Sequence, residues 1–194
     1  ESRTLGKVSS AGTACTLTEV RVVDAEGKEV PRGTVGEVAV RGPGVMLGYW
    51  NKPTETAAAV RNGWMHTGDG GRMDDDGFVF IVDRIKDMIV SGGENVYSVE
   101  VESAVMKHPA VAQCAVIGIP DEHWGESVYA AVVLKPETQA TSESIIEHCH
   151  TLIANYKCPR KVVFLDALPI SGAGKILKNK LRDPFWKDQQ RKVA

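Results

Sequence analysis

Polar and apolar residues alternate in two stretches of the first third of the chain. Residues 18–24 and 35–41 both show this pattern, which is typical of half-buried strands. Gly27 and the segment Pro31-Arg32-Gly33 supply turn residues between them. The pattern therefore predicts a small antiparallel β unit. Residues 54–60, which follow Pro53, predict a short helix.

The second half of the chain shows both helical and strand-like patterns. Apolar residues recur at helical spacing from about Ser98 to His108-Pro109, and again over residues 142–156. A last helix is expected near Leu177. Shorter apolar runs typical of strands cover residues 78–82, 88–90, 111–119, 127–134 and 161–165. The order predicts an α+β fold, in which a small antiparallel β subdomain precedes a compact α+β domain with helices on one or both faces of its sheet.

Length and composition narrow the class of protein. The 194 residues are 43% hydrophobic, which suffices for a packed core, and the net charge of -2 gives no reason to expect nucleic acid or an anionic membrane as partner. No apolar run is long enough to span a bilayer. The absence of a C-x-x-C pair argues against a disulfide framework or a zinc ribbon and favours a cytoplasmic location. The four scattered cysteines are Cys15, Cys114, Cys149 and Cys158.

A lysine flanked by glycines stands near the C-terminus, in the segment Gly172-Ala173-Gly174-Lys175, and a basic stretch follows it. Glycine lets the backbone turn sharply, and the ammonium on its flexible stem can reach a phosphate. Ile176 occupies the position where a Walker phosphate loop needs serine or threonine, so that class of site is excluded. Two interpretations remain for Lys175, contact with a phosphate bound elsewhere and a plain solvated loop residue.

Further motifs precede this lysine in the chain. They are RGPGVMLGYWN at residues 41–51, GWMHTGD at residues 63–69, DRIKD at residues 83–87 and SGGENVY at residues 91–97. In this order and approximate spacing they resemble the adenylate-forming superfamily, which includes acyl-CoA synthetases, luciferases and the adenylation domains of peptide synthetases. The resemblance covers nearly the whole chain. Members of that superfamily also carry an upstream Ser/Thr/Gly-rich phosphate loop and a Tyr-Gly-x-Thr-Glu segment, and the sequence contains neither.

The resemblance implies roles for three residues in adenylation and for a fourth residue as a hinge. Lys175 would contact the α-phosphate and the carboxylate, where its charge would stabilise the transition state. Asp69 would accept hydrogen bonds from both ribose hydroxyls of ATP, and Arg84 would lie on the same side of the nucleotide. Lys86 matches the hinge about which the smaller domain swings. An ion pair of Arg84 with Asp83 or Asp87, and a surface position for Lys86, are the other interpretations.

The resemblance also implies a set of residues that bind CoA. Glycines in the SGGEN loop would allow close approach of the pantetheine arm, although a simple hairpin turn fits the same residues. Two aromatic side chains would offer faces to adenine, and two basic side chains would contact phosphates. The set is Gly92, Gly93, Trp124, Tyr156, Lys157 and Arg160. Consecutive side chains on a helix, such as those of His148-Cys149-His150, project about 100° apart and cannot converge on one ion. We therefore expect no metal site formed by these residues.

The sequence therefore predicts the C-terminal portion of an AMP-forming acyl-CoA ligase. Residues 1–85 would end the large adenylation domain, and residues 86–194 would form the mobile C-terminal domain. The intact enzyme would use ATP, Mg²⁺ and CoA on a fatty or aryl acid. The chain opens at Glu1, without methionine, and is expected to be inactive without the missing part of the large domain. A ligase acting on a carrier-protein thiol and a non-catalytic interaction module remain as alternatives.

Overall fold

The computed structural model describes residues 6–187 of the chain. The chain divides into two compact units, and the division falls between Ile85 and Lys86. We call them the first unit and the second unit and describe each by itself.

The first unit is built on a five-stranded sheet, in which β1, β2, β4 and β3 are neighbours in that order and β5 also pairs with β4. All its described pairings are antiparallel, as the sequence predicts. Buried Val22, Val38, Met73 and Val79 form its core. The elements are β1 Glu19–Val23, β2 Gly36–Arg41, α1 Pro53–Ala59, β3 Val60–Arg61, β4 Trp64–Met73 and β5 Val79–Arg84.

Pairing is irregular along both long edges of β4, but the extra residues belong to β4 only toward β2; toward β5 the extra residue is Val82 of β5. Toward β2, Glu37 pairs with Gly70 and Ala39 pairs with His66, so Val38 alone faces three residues of β4. Toward β5, the register shifts between Gly70 and Gly71. Asp69 lies inside β4, because the strand continues through the bulge.

The second unit holds another five-stranded sheet, in the order β10, β9, β6 and β7, with β8 also paired to β9. Helices α2 and α3 cover one face through residues such as Val101, Val105, Ile145 and Cys149. Leu168 and Leu181 cover the other face. The α+β prediction is thus confirmed. The elements are β6 Ile89–Ser91, β7 Glu94–Val96, α2 Ser98–Met106, β8 Val111–Asp121, β9 Gly125–Leu134, α3 Ser142–His150, β10 Lys161–Phe164 and α4 Lys178–Arg182.

Helix α3 is shorter than the sequence predicts. It ends at His150 rather than near residue 156, and Ala154 is extended, with φ -62° and ψ 145°. A separate 3₁₀ turn, Asn155–Lys157, follows. The prediction was wrong because Ile153 still packs on the core from the turn after the helix, which extends the apolar periodicity beyond the helical backbone.

Candidate functional site

Asp69 and Arg84 meet on the first unit. They are directly paired across β4 and β5, and Arg84 Nε lies 3.1 Å from Asp69 Oδ1. Arg84 Nη2 also donates to the carbonyl of Thr67, at 3.4 Å. The alternative partner Asp83 instead accepts the backbone N–H of Arg84, at 2.8 Å. The two predicted nucleotide residues therefore form one partly exposed carboxylate–guanidinium pair.

The Asp69 carboxylate can still accept hydrogen bonds while it is paired with Arg84. Its side chain is 37% exposed, and among residues 6–187 its Oδ2 atom has no hydrogen-bond partner. A carboxylate oxygen accepts hydrogen bonds and donates none. The pair can thus bind a ligand that presents two adjacent hydroxyl groups, with Arg84 fixing the orientation of the carboxylate.

Lys86 follows Arg84 after one residue and lies on the 3₁₀ turn Ile85–Asp87. Its side chain is exposed. Arg182 of α4 donates from Nη1 to the backbone carbonyl of Lys86 and to Asp87 Oδ1, at 3.0 Å in each case. The guanidinium and the carboxylate are 13% and 12% exposed. This contact links the first residues of the second unit, Lys86 and Asp87, to helix α4.

Lys175 stands on a closed loop of the second unit. Ile170 and Ile176 form a β-bridge at its base, and Gly174 adopts φ +78°. Ser171 accepts the backbone N–H of Lys175 through its hydroxyl, at 3.2 Å, and donates its own N–H to the carbonyl of Lys175, at 2.8 Å. The side chain is exposed, and within the described range its ammonium has no hydrogen-bond or ion-pair partner. A hydrogen-bonded backbone thus carries an exposed cation.

The chain behind this loop is anchored to helix α2. Lys178 Nζ lies 2.7 Å from Glu102 Oε1 and donates to Ser98 Oγ at 2.7 Å. Glu102 Oε1 in turn accepts the backbone N–H of Val116 in β8, at 2.8 Å. The chain that follows the Lys175 loop is therefore attached to helix α2 at Lys178, three residues after Lys175.

Three of the residues predicted to bind CoA lie together. Gly92 lies in the turn between β6 and β7, and its N–H donates to the carbonyl of Trp124, at 2.8 Å. The guanidinium carbon of Arg160 lies 4.4 Å from the centroid of the Trp124 ring. Asp121 accepts the backbone N–H groups of His123 and Trp124, both at 3.0 Å, and the bond from Trp124 lowers the pKa of Asp121. The indole is thus held between a glycine turn and an arginine.

Gly93 occupies the same turn as Gly92, whereas Tyr156 and Lys157 form a separate pair. Tyr156 is 41% exposed. Lys157 Nζ donates to both oxygens of Glu100, at 2.8 Å each, and this hydrogen bond raises the pKa of Lys157. A phosphate that binds Lys157 must compete with Glu100 for the ammonium.

No metal or membrane element is apparent in the part of the chain that the structure describes. Within residues 6–187, no group of three His, Cys, Asp or Glu side chains is placed to hold a metal ion. Over the same residues, no helix combines the length and the apolar character needed to cross a membrane.

Comparison with family models gives two matches in the expected order. The model described as AMP-binding enzyme matches residues 2–50, and the model described as AMP-binding enzyme C-terminal domain matches residues 100–175. The chain belongs to the adenylate-forming superfamily. Its second unit accordingly contains the domain that is C-terminal in AMP-binding enzymes.

Similar proteins of this superfamily are ligases. The chain is 46% identical over 179 residues to a feruloyl-CoA synthase of Amycolatopsis sp, covering 92% of this chain and 36% of the relative. It is 47% identical over 173 residues to the fatty acid–[acyl-carrier-protein] ligase ScoC of Streptomyces coeruleorubidus, covering 89% and 33%. The o-succinylbenzoate CoA synthetase of Bacillus subtilis, solved with an acyl-adenylate intermediate, matches with a TM-score of 0.85 and 37% identity, over 97% of this chain and 37% of that one. The chain thus spans about a third of these relatives.

Sequence patterns alone missed three acidic residues that hold the candidate site residues in place. Glu37 contacts the bulge of Asp69, Glu100 binds Lys157, and Asp121 fixes the turn of Trp124. Each looks like a solvent-facing residue in its own segment. Only for Asp121 is there a local signal, because aspartate is favoured where a side chain accepts N–H groups two and three residues ahead.

Proposed function

We propose that the chain is the C-terminal part of an AMP-forming acyl-CoA ligase. The intact enzyme activates a carboxylic acid, fatty or aryl, with Mg-ATP to give an acyl-adenylate and pyrophosphate. It then transfers the acyl group to the thiol of CoA and releases AMP. Residues 1–85 would end the large adenylation domain, and residues 86–194 would be the mobile domain that turns about Lys86.

The pairing of Asp69 with Arg84 carries this proposal. It leaves one carboxylate oxygen available for a vicinal diol on a partly exposed edge of the first unit. Lys175 supports the same function, because an exposed ammonium on an anchored loop can approach the α-phosphate and the attacking carboxylate. Mg²⁺ would arrive bound to the phosphates of ATP, as it usually does in enzymes that use nucleotides.

The thioester step would use the other face of the second unit. Gly92 and Gly93 would approach the pantetheine arm, Trp124 and Tyr156 would stack on adenine, and Lys157 and Arg160 would contact phosphates. The cluster of Gly92, Trp124 and Arg160 supports this assignment. A carrier-protein thiol is the second candidate acceptor, and the similarity to ScoC favours it. Titration calorimetry with CoA and with a phosphopantetheinylated carrier protein separates the two.

The decisive experiment compares this chain with the complete ligase polypeptide that contains it. Both are incubated with Mg-ATP, CoA and a panel of fatty and aryl acids, and the release of pyrophosphate and the formation of thioester are measured. The complete polypeptide should release pyrophosphate with at least one acid. The 194-residue chain should not, because its sequence lacks the phosphate loop. A complete polypeptide that is inactive with every acid, or release by this chain alone, would contradict the proposal.

A further inference from the structure

Glu37 reaches from β2 into the bulge that carries Asp69. Its Oε1 atom accepts the backbone N–H of Gly68, at 3.1 Å, and its Oε2 atom lies 2.7 Å from Nδ1 of His66. The carboxylate is 15% exposed and the imidazole is 8% exposed. Glu37 therefore binds the residues on both sides of Thr67 from a neighbouring strand.

These contacts replace the ladder hydrogen bonds that the bulge removes. Val38 alone faces Thr67, Gly68 and Asp69, so the N–H groups of the bulge need other acceptors. The Thr67 hydroxyl donates to the carbonyl of Val38, at 2.9 Å, and accepts the N–H of Asp69, at 3.1 Å. Glu37 supplies the acceptor for Gly68. The backbone at Asp69 is thus set by Glu37 and Thr67.

The conformation of Gly68 suits the bulge. Its φ of +73° is in the left-handed region, which glycine adopts without steric cost and which is common for glycine in β-bulges. Without the Glu37 acceptor, the Gly68 N–H would be partly buried and unsatisfied. A shift of Gly68 to satisfy its N–H elsewhere would displace Asp69 and its ion pair with Arg84.

A carboxylate suits this position better than a neutral side chain. Arg61 Nη2 donates to Glu37 Oε2 at 3.0 Å and Gly68 N–H donates to Oε1, so a donor reaches each oxygen of Glu37, and Arg61 Nη2 also lies 2.6 Å from His66 Nδ1. A carboxylate accepts on both atoms, whereas an amide would turn an NH₂ group toward either Gly68 or the His66–Arg61 side. The geometry predicts that even glutamine weakens the bulge.

We propose that Glu37 is a positioning residue for ribose recognition: it holds the bulge so that the Asp69 carboxylate meets both hydroxyls of the ATP ribose. This inference rests on the proposed function, since Asp69 needs a nucleotide to bind. Glu37 itself would contact neither the nucleotide nor the reacting atoms.

The test measures adenylation by the complete ligase polypeptide with ATP, 2′-deoxy-ATP and 3′-deoxy-ATP. In the wild type, removal of either hydroxyl should lower kcat/KM by about 10-fold, the loss expected for a hydrogen bond to a charged group. In Glu37→Ala and Glu37→Gln, kcat/KM for ATP should fall toward that of the deoxy analogues, while the KM for the carboxylic acid stays unchanged. Glu29→Gln is the control, because it removes a carboxylate that pairs with Arg21 elsewhere on the first unit. It should keep the wild-type ratio of kcat/KM for ATP to kcat/KM for the deoxy analogues.

The outcomes separate the inference from the function on which it rests. A wild type without adenylation activity refutes the proposed function before any variant is made. A wild type that adenylates but ignores the ribose hydroxyls overturns both the ribose contact of Asp69 and the positioning role of Glu37. Folded Glu37 variants that distinguish ATP from the deoxy analogues as well as the wild type does overturn the inference about Glu37 and leave the proposed function standing. If neither variant folds, as judged by circular dichroism and thermal unfolding, Glu37 serves stability and the inference is also overturned.

Discussion

Gly92 lies against the indole of Trp124 so closely that a Cβ atom built on Gly92 would be 2.8 Å from Trp124 Cε3. Gly93, the next residue, has nothing within 4 Å of the corresponding position. Both glycines have positive φ, +62° and +84°. The two positions therefore share the backbone constraint and differ in their contact with the aromatic ring.

This difference gives a prediction for the thioester step. Gly93→Ala should lower the free energy of unfolding by about 1 kcal/mol, from strain in the left-handed region alone. Gly92→Ala should cost about 1–3 kcal/mol more, because Trp124 must also move. In the complete ligase, Gly92→Ala should raise the KM for CoA about 10-fold and leave pyrophosphate release unchanged. Equal effects of the two substitutions on the KM for CoA would contradict a role for the Trp124 position.

Acid should destabilise the second unit through His108. Burial, and then the neighbouring His148, whose ring centroid is 5.3 Å away, lower the pKa of His108. The unfolded chain therefore binds more protons than the folded chain near and below the ordinary histidine pKa of about 6.5. The stability is fully present above that pH and is lost as the pH falls below it, toward the folded-state pKa.

Hydrogen exchange of the β8 amides measures this effect within the second unit. The opening free energy, corrected for intrinsic exchange, should be lower at pH 5.5 than at pH 7.5. His108→Asn keeps an acceptor for the N–H of Ala110 but cannot titrate, so it should reduce the pH dependence. His150→Asn is the matched control, because His150 is exposed on the same unit. An unchanged pH dependence in His108→Asn would rule out this histidine as the cause.

The four cysteines should differ sharply in reactivity. Cys15 is exposed, whereas Cys114, Cys149 and Cys158 are buried. Burial raises the pKa of Cys149 to about 11 and also raises the pKa values of Cys114 and Cys158. Because the thiolate is the reactive form, a disulfide reagent at pH 8 should label one thiol in the folded chain and four in guanidinium chloride.

The variant Cys15→Ser serves as the control for thiol labelling. It should abolish the labelling of the folded chain and leave three reactive thiols after unfolding. Rapid labelling of folded Cys15→Ser would show that a buried cysteine is accessible, contrary to the packing of the second unit.

Much of the fold follows from local patterns in the sequence. Apolar spacing predicts α2 and the first two turns of α3, because Val101, Val105, Ile145 and Cys149 all face one core. The end of α3 could not be predicted in the same way. Leu152 and Ile153 continue the apolar spacing although the backbone has left the helix, and periodicity cannot register a change in φ and ψ.

The candidate site depends on contacts between distant residues, which a single sequence does not display. The ion pair of Asp69 with Arg84 follows from the register of β4 and β5, and that register contains a bulge. Glu100 and Lys157 are 57 residues apart in the chain. Residue types and motifs could therefore nominate candidate side chains, whereas the contacts of those side chains could be found only from the folded backbone.

The central claim is that one exposed cation, Lys175, serves adenylation and not thioester formation. In the complete ligase, Lys175→Ala should lower the rate of acyl-adenylate formation by about 100-fold or more, because the charge that stabilises the transition state is lost. The transfer of acyl groups from a supplied acyl-adenylate to CoA should remain within about twofold of the wild type. Lys180→Ala, which removes an exposed lysine from α4, should leave both rates unchanged. Equal losses in the two half-reactions of Lys175→Ala would contradict the account.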